Sequence, residues 1–367
     1  MALNVAVIGA GGIGRTHANC YKNNEKAKLV AICDIVEEKA KKLGDEMGVP
    51  YYTSQKDMYA AHPEIESVSV CSSGYDNGSM HFEPAMEALD AGRHVLVEKP
   101  ICAELCDAQE LVRFAKSKKL YLGCNLNHYF TQTADRAGDL IREDKIGELV
   151  YCIHKVGFNG SEKKYAGPGT PRWQTPYSHV KAFCAHPFSV MRHFCGDIMQ
   201  VQAFMDRPGV RRTLRDPMLS INSIHVRFAN GGVGYLLSQR GDAMFGLGGW
   251  WSYEHAGTRG TFCIENCVEK LSFWDIDTVE NPGMASPEPV VFDTGIKDFG
   301  ATFPSRIDAW LSDVGNKVPY EHVRASGRDA LATLTYTFAA MRSYEEGGAL
   351  VIPEKLPPIH GDVKHVW

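Results

Sequence analysis

Leu3-Asn4-Val5-Ala6-Val7-Ile8-Gly9-Ala10-Gly11-Gly12-Ile13-Gly14 decides the fold. The apolar residues up to Ile8 read as a strand, and Gly9, Gly11 and Gly14 form Gly-x-Gly-x-x-Gly ahead of a helical run to about Tyr21. The first glycine permits the tight turn, the second lets a pyrophosphate approach the backbone, and the third lets helix and strand pack closely. A helix starting there turns its unpaired N–H groups and positive dipole end toward phosphate. Gly9, Gly11, Gly12, Ile13 and Gly14 are therefore candidate contacts to a dinucleotide. A second strand, Leu29–Cys33, ends in Asp34, twenty residues beyond Gly14. An acidic residue at that place holds the adenosine ribose hydroxyls and repels a 2′-phosphate. No Arg follows Asp34, so the expected cofactor is NAD rather than NADP.

Working outward, strand and helix signals alternate. A charged helix covers about residues 37–47, and short apolar runs follow at 49–52 and Val68–Cys71. The polar loop Ser72 to Ser79 comes next, which places Ser72 and Ser73 near the cofactor, because βα loops collect on one sheet edge. A helix from His81 through Ala91 is capped by Gly92. Val95-Leu96-Val97 then reads as a central strand ending in Glu98-Lys99-Pro100. Ligands bind at the carboxyl ends of such strands, so the Lys99 ammonium is placed to reach a substrate oxygen. Pro100 restricts Lys99 to extended geometry and leaves the bond between them open to the cis form. A helix at 105–118 and a strand at 121–124 complete a doubly wound α/β sheet, with Asn127 and His128 at its end as contacts to nicotinamide or substrate. The first domain is expected to cover residues 1–125.

Composition narrows the function. A chain of 367 residues exceeds one ordinary core, and a net charge of −5 without a basic cluster argues against nucleic-acid or acidic-membrane partners. No apolar run is long enough to span a bilayer, and the N-terminal residues lack signal-peptide character, so a cytoplasmic setting is expected. None of the 11 cysteines falls in a Cys-x-x-Cys pair. Cys33, Cys71, Cys124 and Cys152 lie in apolar runs as small hydrophobes, and no metal site is expected.

After residue 130 the pattern changes. A polar helix (about 133–144) leads into 148–158, where Val150, Cys152, His154, Val156 and Phe158 share one strand face. Ile224, Val226 and Phe228 alternate before Asn230-Gly231, a hairpin signal, and Val233, Tyr235 and Leu237 resume beyond it. Further strand runs at 261–264 and 271–274 imply a second, mostly antiparallel sheet. Helices are read at 306–314 and 329–346, and residues 126–367 are taken as one substrate-binding and oligomerisation domain.

The fingerprint, His81 ahead of the Ala-rich helix and His94-Val95-Leu96, Glu98-Lys99-Pro100, Ile146-Gly147-Glu148-Leu149 and Gly327-Arg328-Asp329 together resemble the Gfo/Idh/MocA oxidoreductases. The resemblance implies an N-terminal Rossmann domain and a C-terminal α+β domain with a large open sheet. It also implies a segment Asp-x-Gly-x-His-x-x-Asp that carries a catalytic His. Aligned on Gly196, that His is His186, a general base accepting the hydroxyl proton while hydride leaves the same carbon. Lys99 would hydrogen-bond that oxygen. A plainer role for His186 is as a residue of a helix N-terminus, since Pro187 suits the first helical turn. The chain departs from the pattern at Ala182, Cys184 and Ser189, where the family has Asp, Gly and Asp. Lys181 and His179 stand near in sequence, but neither supplies a carboxylate.

Tyr165, Trp173, Tyr177, Phe183, Trp250 and Trp251, with the glycines at 167–169 and 246–249, make the second half suited to a sugar ring or flat aglycone, or simply to a packed core. Arg240 and Asp242 are further candidates for hydroxyl contacts. Together with the resemblance, these residues lead to an NAD-dependent dehydrogenase of a ring secondary alcohol, with glycoside 3-oxidation as the finer reading. NAD-dependent hydrolysis by transient oxidation, inositol oxidation and a non-catalytic NAD-binding regulator stay open beside it. The resemblance further implies a homodimer or homotetramer formed through the C-terminal sheet.

Overall fold

Six short strands, nearly all buried, build the first sheet: β1 (Leu3–Ile8), β2 (Ala27–Cys33), β3 (Tyr51–Tyr52), β4 (Ser67–Val70), β5 (His94–Val97) and β6 (Leu122–Cys124). Their order is β3-β2-β1-β4-β5-β6, and every neighbouring pair is parallel. This is the computed structural model of the chain, which describes residues 2–73, 78–158, 175–207, 212, 217–240, 243, 251–278 and 288–356. Helices α1 (Gly12–Lys22), α2 (Glu37–Met47), α3 (Gln55–Ala61), α4 (Phe82–Asp90) and α5 (Leu105–Lys118) alternate with the strands. The short α3 escapes the pattern reading, although Ser54 announces it by capping the Asp57 N–H at 3.3 Å. The strand order reverses direction between β1 and β4, which makes the ends of these two strands the ligand-binding edge of an open α/β sheet.

The first compact unit holds the residues up to Leu126 together with Phe303–Leu334. A division at residue 125 does not anticipate this return. The helix Thr302–Gly315 sends Ile307, Trp310, Leu311 and Val314 into one core with Val5, Val7, Ile32 and Leu96. Trp310 is fully buried and its indole N–H donates to Ser67 Oγ at 3.1 Å. A Cβ on Gly123 would stand 2.7 Å from the Trp310 ring, so the glycine in β6 is what admits the indole.

The turn after β5 rests on a buried polar network within this unit. Glu98 Oε1 receives His17 Nε2 at 2.9 Å and Asn125 Nδ2 at 2.5 Å, and Oε2 accepts the Lys99 N–H at 3.2 Å. His17 Nδ1 meets Ser69 Oγ at 2.9 Å, and Tyr21 Oη meets the same hydroxyl at 2.6 Å. The Lys99–Pro100 bond is cis, and His81 Nδ1 donates to the Pro100 carbonyl at 2.7 Å. Burial by itself would raise the Glu98 carboxyl. The His17 hydrogen bond and charge, Lys99 and Asn125 outweigh it and hold the group below the usual carboxylate range.

The second unit comprises Asn127–Thr302 and Thr335–Lys355. Its strands are β7 (Leu149–Phe158), β8 (Ile198–Asp206), β9 (Ile221–Phe228), β10 (Val233–Arg240), β11 (Trp251–Gly257), β12 (Gly260–Glu265), β13 (Lys270–Asp275) and β14 (Val290–Asp293). They lie in the order β14-β13-β12-β11-β7-β10-β9-β8, with only the β7–β10 pair parallel. Cys152, His154 and Val156 face inward from β7, as the alternation predicts, while Val150 is exposed. Across the Asn230-Gly231 turn the phase differs from the simple reading. Gly234, Leu236 and Ser238 of β10 are buried, not Val233, Tyr235 and Leu237. Register explains this: Gly234 lies opposite Val226 and Leu236 opposite Ile224, and paired residues share a face. A Cβ at Gly234 would come within 2.7 Å of Val226, so this inward position is filled by its neighbours and carries no apolar signal of its own. Among the described residues no helix is long and apolar enough to cross a membrane.

Because the folded Glu98 carboxyl titrates below its unfolded value, its contribution to stability is present above the unfolded pKa and disappears as acid protonates the folded form. Glu98→Gln is expected to lower stability by about 1–3 kcal/mol at neutral pH and to flatten the decline toward about pH 3. Urea unfolding across that range measures both. An unchanged acid slope would show that Glu98 is not ionised in the folded protein.

Candidate active site

In the first unit the glycines of the fingerprint divide their work. Gly9 turns the chain at φ +96°, and a Cβ on it would sit 2.6 Å from the Cys71 carbonyl carbon at the end of β4. A Cβ on Gly14 would sit 1.8 Å from the Gly9 carbonyl oxygen, so only glycine lets α1 pack there. Gly11 and Gly12 have nothing within 4 Å at the corresponding places. The helix starts at Gly12 with no side-chain cap and no acidic residue in its first turn. Its first N–H groups and dipole therefore remain for an anion.

Asp34 ties this loop to β2. Its Oδ2 accepts the Ala10 N–H at 2.7 Å, and its Oδ1 accepts the Val36 N–H at 2.9 Å. A carboxylate fixed in this way keeps lone pairs for the vicinal hydroxyls of a ribose. These residues fit a dinucleotide: a cradle without side chains, an uncapped helix start, and an oriented acid one strand away. Ser72 Oγ donates to the Met80 carbonyl and Ser73 is exposed, while residues 74–77 of the same loop lie outside the described set. His81 is buried, which lowers its imidazole pKa, and it orients the Pro100 carbonyl. Lys99 follows Glu98 half-buried, its backbone fixed by the carboxylate beneath it. His17, Ser69 and Asn125 belong to this support, and no spacing rule singles them out.

In the second unit His186 is the second residue of the helix Ala185–Cys195, buried at 5% exposure. Its ring stacks on that of His128 with centroids 3.7 Å apart and planes 11° apart. His128 comes from the 3-10 turn Asn127–Tyr129, and its Nδ1 meets Tyr253 Oη at 2.5 Å. Burial pushes the Tyr253 phenol well up, so it stays protonated at that contact. Trp251 stands edge-on to both imidazoles, at 4.6 Å from His128 and 5.8 Å from His186, and stacks on Phe299 at 6.0 Å. A second imidazole and a tryptophan thus border the His for which the sequence offered no carboxylate. An imidazole that accepts a proton here lies against a π face rather than an acid.

The other candidates are placed as follows. His179 Nε2 meets Ser238 Oγ at 2.8 Å, Lys181 Nζ lies 5.5 Å from the centre of the Phe338 ring, and Ala182 is buried. Asn127 donates to Thr302 Oγ1 at 2.6 Å. The Arg240 guanidinium lies over Phe183 at 5.1 Å, and Tyr177 Oη donates to Glu345 at 2.6 Å. Tyr165, Trp173, Trp250, Asp242 and the glycines at 167–169 and 246–249 lie outside the described residues. Tyr253 is the residue that pattern reading missed. It sits on an inward position of β11, where a Tyr reads as core.

Residues 3–126 match the Gfo/Idh/MocA oxidoreductase family, described by its NAD-binding Rossmann fold. Myo-inositol 2-dehydrogenase of Thermotoga maritima is 27% identical over 146 residues, covering 40% of this chain and 42% of that protein. D-glucoside 3-dehydrogenase of Escherichia coli K12 is 30% identical over 150 residues, 40% of this chain and 41% of that protein. The alignments thus span about two-fifths of the length of these curated relatives. Levoglucosan dehydrogenase, solved in complex with NADH, superposes with a TM-score of 0.82 over 97% of this chain and 100% of that one at 18% identity, a likeness of fold. Over residues 3–126 the N-terminal unit is thus similar to the NAD-binding Rossmann domains of the Gfo/Idh/MocA oxidoreductases.

Proposed function

We propose that the protein is an NAD-dependent dehydrogenase acting on a ring secondary hydroxyl of a sugar or cyclitol, with C3 of a glucoside as the finer reading. The observation that carries this is Lys99, an ammonium following β5 whose backbone is anchored by the buried Glu98 network, in the same unit as the open Gly11–Gly12 cradle. Gly9–Gly14 and the start of α1 would hold the pyrophosphate, and Asp34 the adenosine ribose. When bound, NAD supplies the two-electron acceptor.

The protein's own groups handle the oxygen and the proton. Lys99 donates to the substrate oxygen and stabilises the negative charge that grows as the O–H bond breaks. His186 takes the proton, and the stacked His128 ring, which meets Tyr253, holds the His186 ring in place. With Ala182 where the family has Asp, the balance shifts toward Lys99. The similarity to a D-glucoside 3-dehydrogenase supports the glucoside reading, and the similarity to a myo-inositol 2-dehydrogenase supports the cyclitol reading. The outer face of the second sheet exposes Tyr151, Ile153, Phe204 and Val233, which supports a homodimer or homotetramer formed there.

Nicotinamide absorbance with glucosides, free sugars and inositols as substrates separates the readings. Reduction by glucosides but not myo-inositol supports 3-oxidation, and the reverse assigns a cyclitol enzyme. Aglycone release without net reduction of cofactor would indicate transient oxidation and hydrolysis, and silence with NAD bound would indicate a regulator. Lys99→Ala is expected to lower kcat by about 10²–10³-fold with NAD still bound. His186→Ala should lower it by about 10²–10⁴-fold, with partial rescue by added imidazole.

Two glycine variants test the cofactor cradle. Gly14→Ala must displace the Gly9 carbonyl and should lower thermal stability, by roughly 1–3 kcal/mol. Gly11→Ala meets nothing and should melt like the native chain while binding NAD about tenfold more weakly. Equal NAD affinity in Gly11→Ala and the native protein would place the pyrophosphate elsewhere.

A further inference from the structure

Behind the His128–Tyr253 pair, the inward face of the second sheet gathers sulfur and imidazole donors that the proposed reaction does not use. Cys152 and His154 alternate on β7, and His255 on β11 lies directly opposite Cys152. One donor atom from each of Cys152, His154 and His255 lies within 4.8 Å of the other two, and all three residues are buried. His154 Nε2 and His255 Nε2 face each other at 3.0 Å. The far nitrogen of His255, Nδ1, meets Cys195 Sγ at 3.3 Å, and the Cys195 thiol is also hydrogen-bonded with that of Cys152. Cys195 is half-buried and ends the helix that begins with Ala185 and His186.

We propose that Cys152, His154 and His255 bind a soft divalent transition-metal ion of the zinc class, with Cys195 as an outer partner on the far nitrogen of His255. Three protein donors of the nitrogen and sulfur kind suit zinc with its fourth position open, and thiolate sulfur selects against calcium and magnesium. A tetrahedral ion with Zn–N bonds of about 2.0–2.1 Å holds two ligating nitrogens about 3.3 Å apart. The His154–His255 separation needs to open by only a few tenths of an ångström to reach that. The Cys152 thiol gives its proton to solvent as it ligates, so its thiolate offsets half of the divalent charge. The walls are dry: Phe262 stacks on His255 at 5.0 Å, Phe194 stands edge-on to His255 at 5.0 Å, and Tyr253 packs on His154 at 4.7 Å. Bound there, the ion would clamp β7 to β11.

The competing occupant is no ion at all, only a chain of neutral hydrogen bonds from the Cys195 S–H through His255 to His154. Tag-free full-length protein, loaded with Zn²⁺ and dialysed, decides by elemental analysis. The expected result is one zinc per chain, with a higher melting temperature than the metal-depleted protein. Replacing zinc with Co²⁺ should give the intense near-ultraviolet absorption of thiolate bound to cobalt. Cys152→Ala should abolish that absorption, and the exposed-thiol control Cys106→Ser should change nothing. Folded native protein that retains no zinc, or that binds Co²⁺ without thiolate absorption, would overturn the site. So would stoichiometric metal persisting in a folded Cys152→Ala, His255→Ala variant. The native-chain measurements decide even if a variant fails to fold.

Discussion

The hydrogen bonds between Glu98 and His17 hold the first unit's chemistry in place. A carboxylate with almost no solvent survives in the ionised form only if its oxygens are satisfied. Here the residue after β5 supplies the acid, α1 the imidazole, β4 the serine behind it and the residue after β6 the amide. Four segments thereby gather around one charge, and the Lys99 backbone N–H is the third donor to it after His17 and Asn125. The reactive ammonium is consequently set on a rigid strand end rather than on a loop. Such a network is costly to leave half-satisfied, which binds its members together more tightly than apolar packing would.

Much of this architecture is legible in the chain. Gly9, Gly11, Gly14 and Asp34 reveal themselves because backbone sterics and phosphate chemistry allow few alternatives, and their spacing is local. The strand–helix alternation up to Cys124 is readable for the same reason. What escapes is what only the tertiary fold assembles. His17 reads as one more residue of the fingerprint helix, and Asn125 as the first residue of a loop. The return of Trp310 to a glycine in β6 joins positions nearly two hundred residues apart, and no periodicity in the helix Thr302–Gly315 names its partner.

The second unit is harder to read because antiparallel strands show only which residues share a face, not which face is inward. Gly234 illustrates this, since the inward position beyond the hairpin is the one with no side chain. His186 is legible only through resemblance. His128, which stacks on it, and Tyr253, which meets His128, come from a 3-10 turn and a strand distant in sequence, so no motif joins them. Cys152, His154 and His255 are likewise gathered by sheet register, with none of the short spacings by which zinc sites are usually recognised.

The burial of Trp310 against Ser67 and Gly123 has a consequence for the order of synthesis. The nucleotide-binding sheet is encoded by residue 126, but the indole that fills its core lies 184 residues further on. At typical ribosomal rates of about 5–20 residues per second, the sheet waits roughly 10–40 s with that side bare. During this interval the nascent chain carries an exposed apolar surface, of the kind that chaperones shelter. A ribosome stall between the two segments therefore releases a sheet without its cover, which makes the gene's second half a requirement for the solubility of its first.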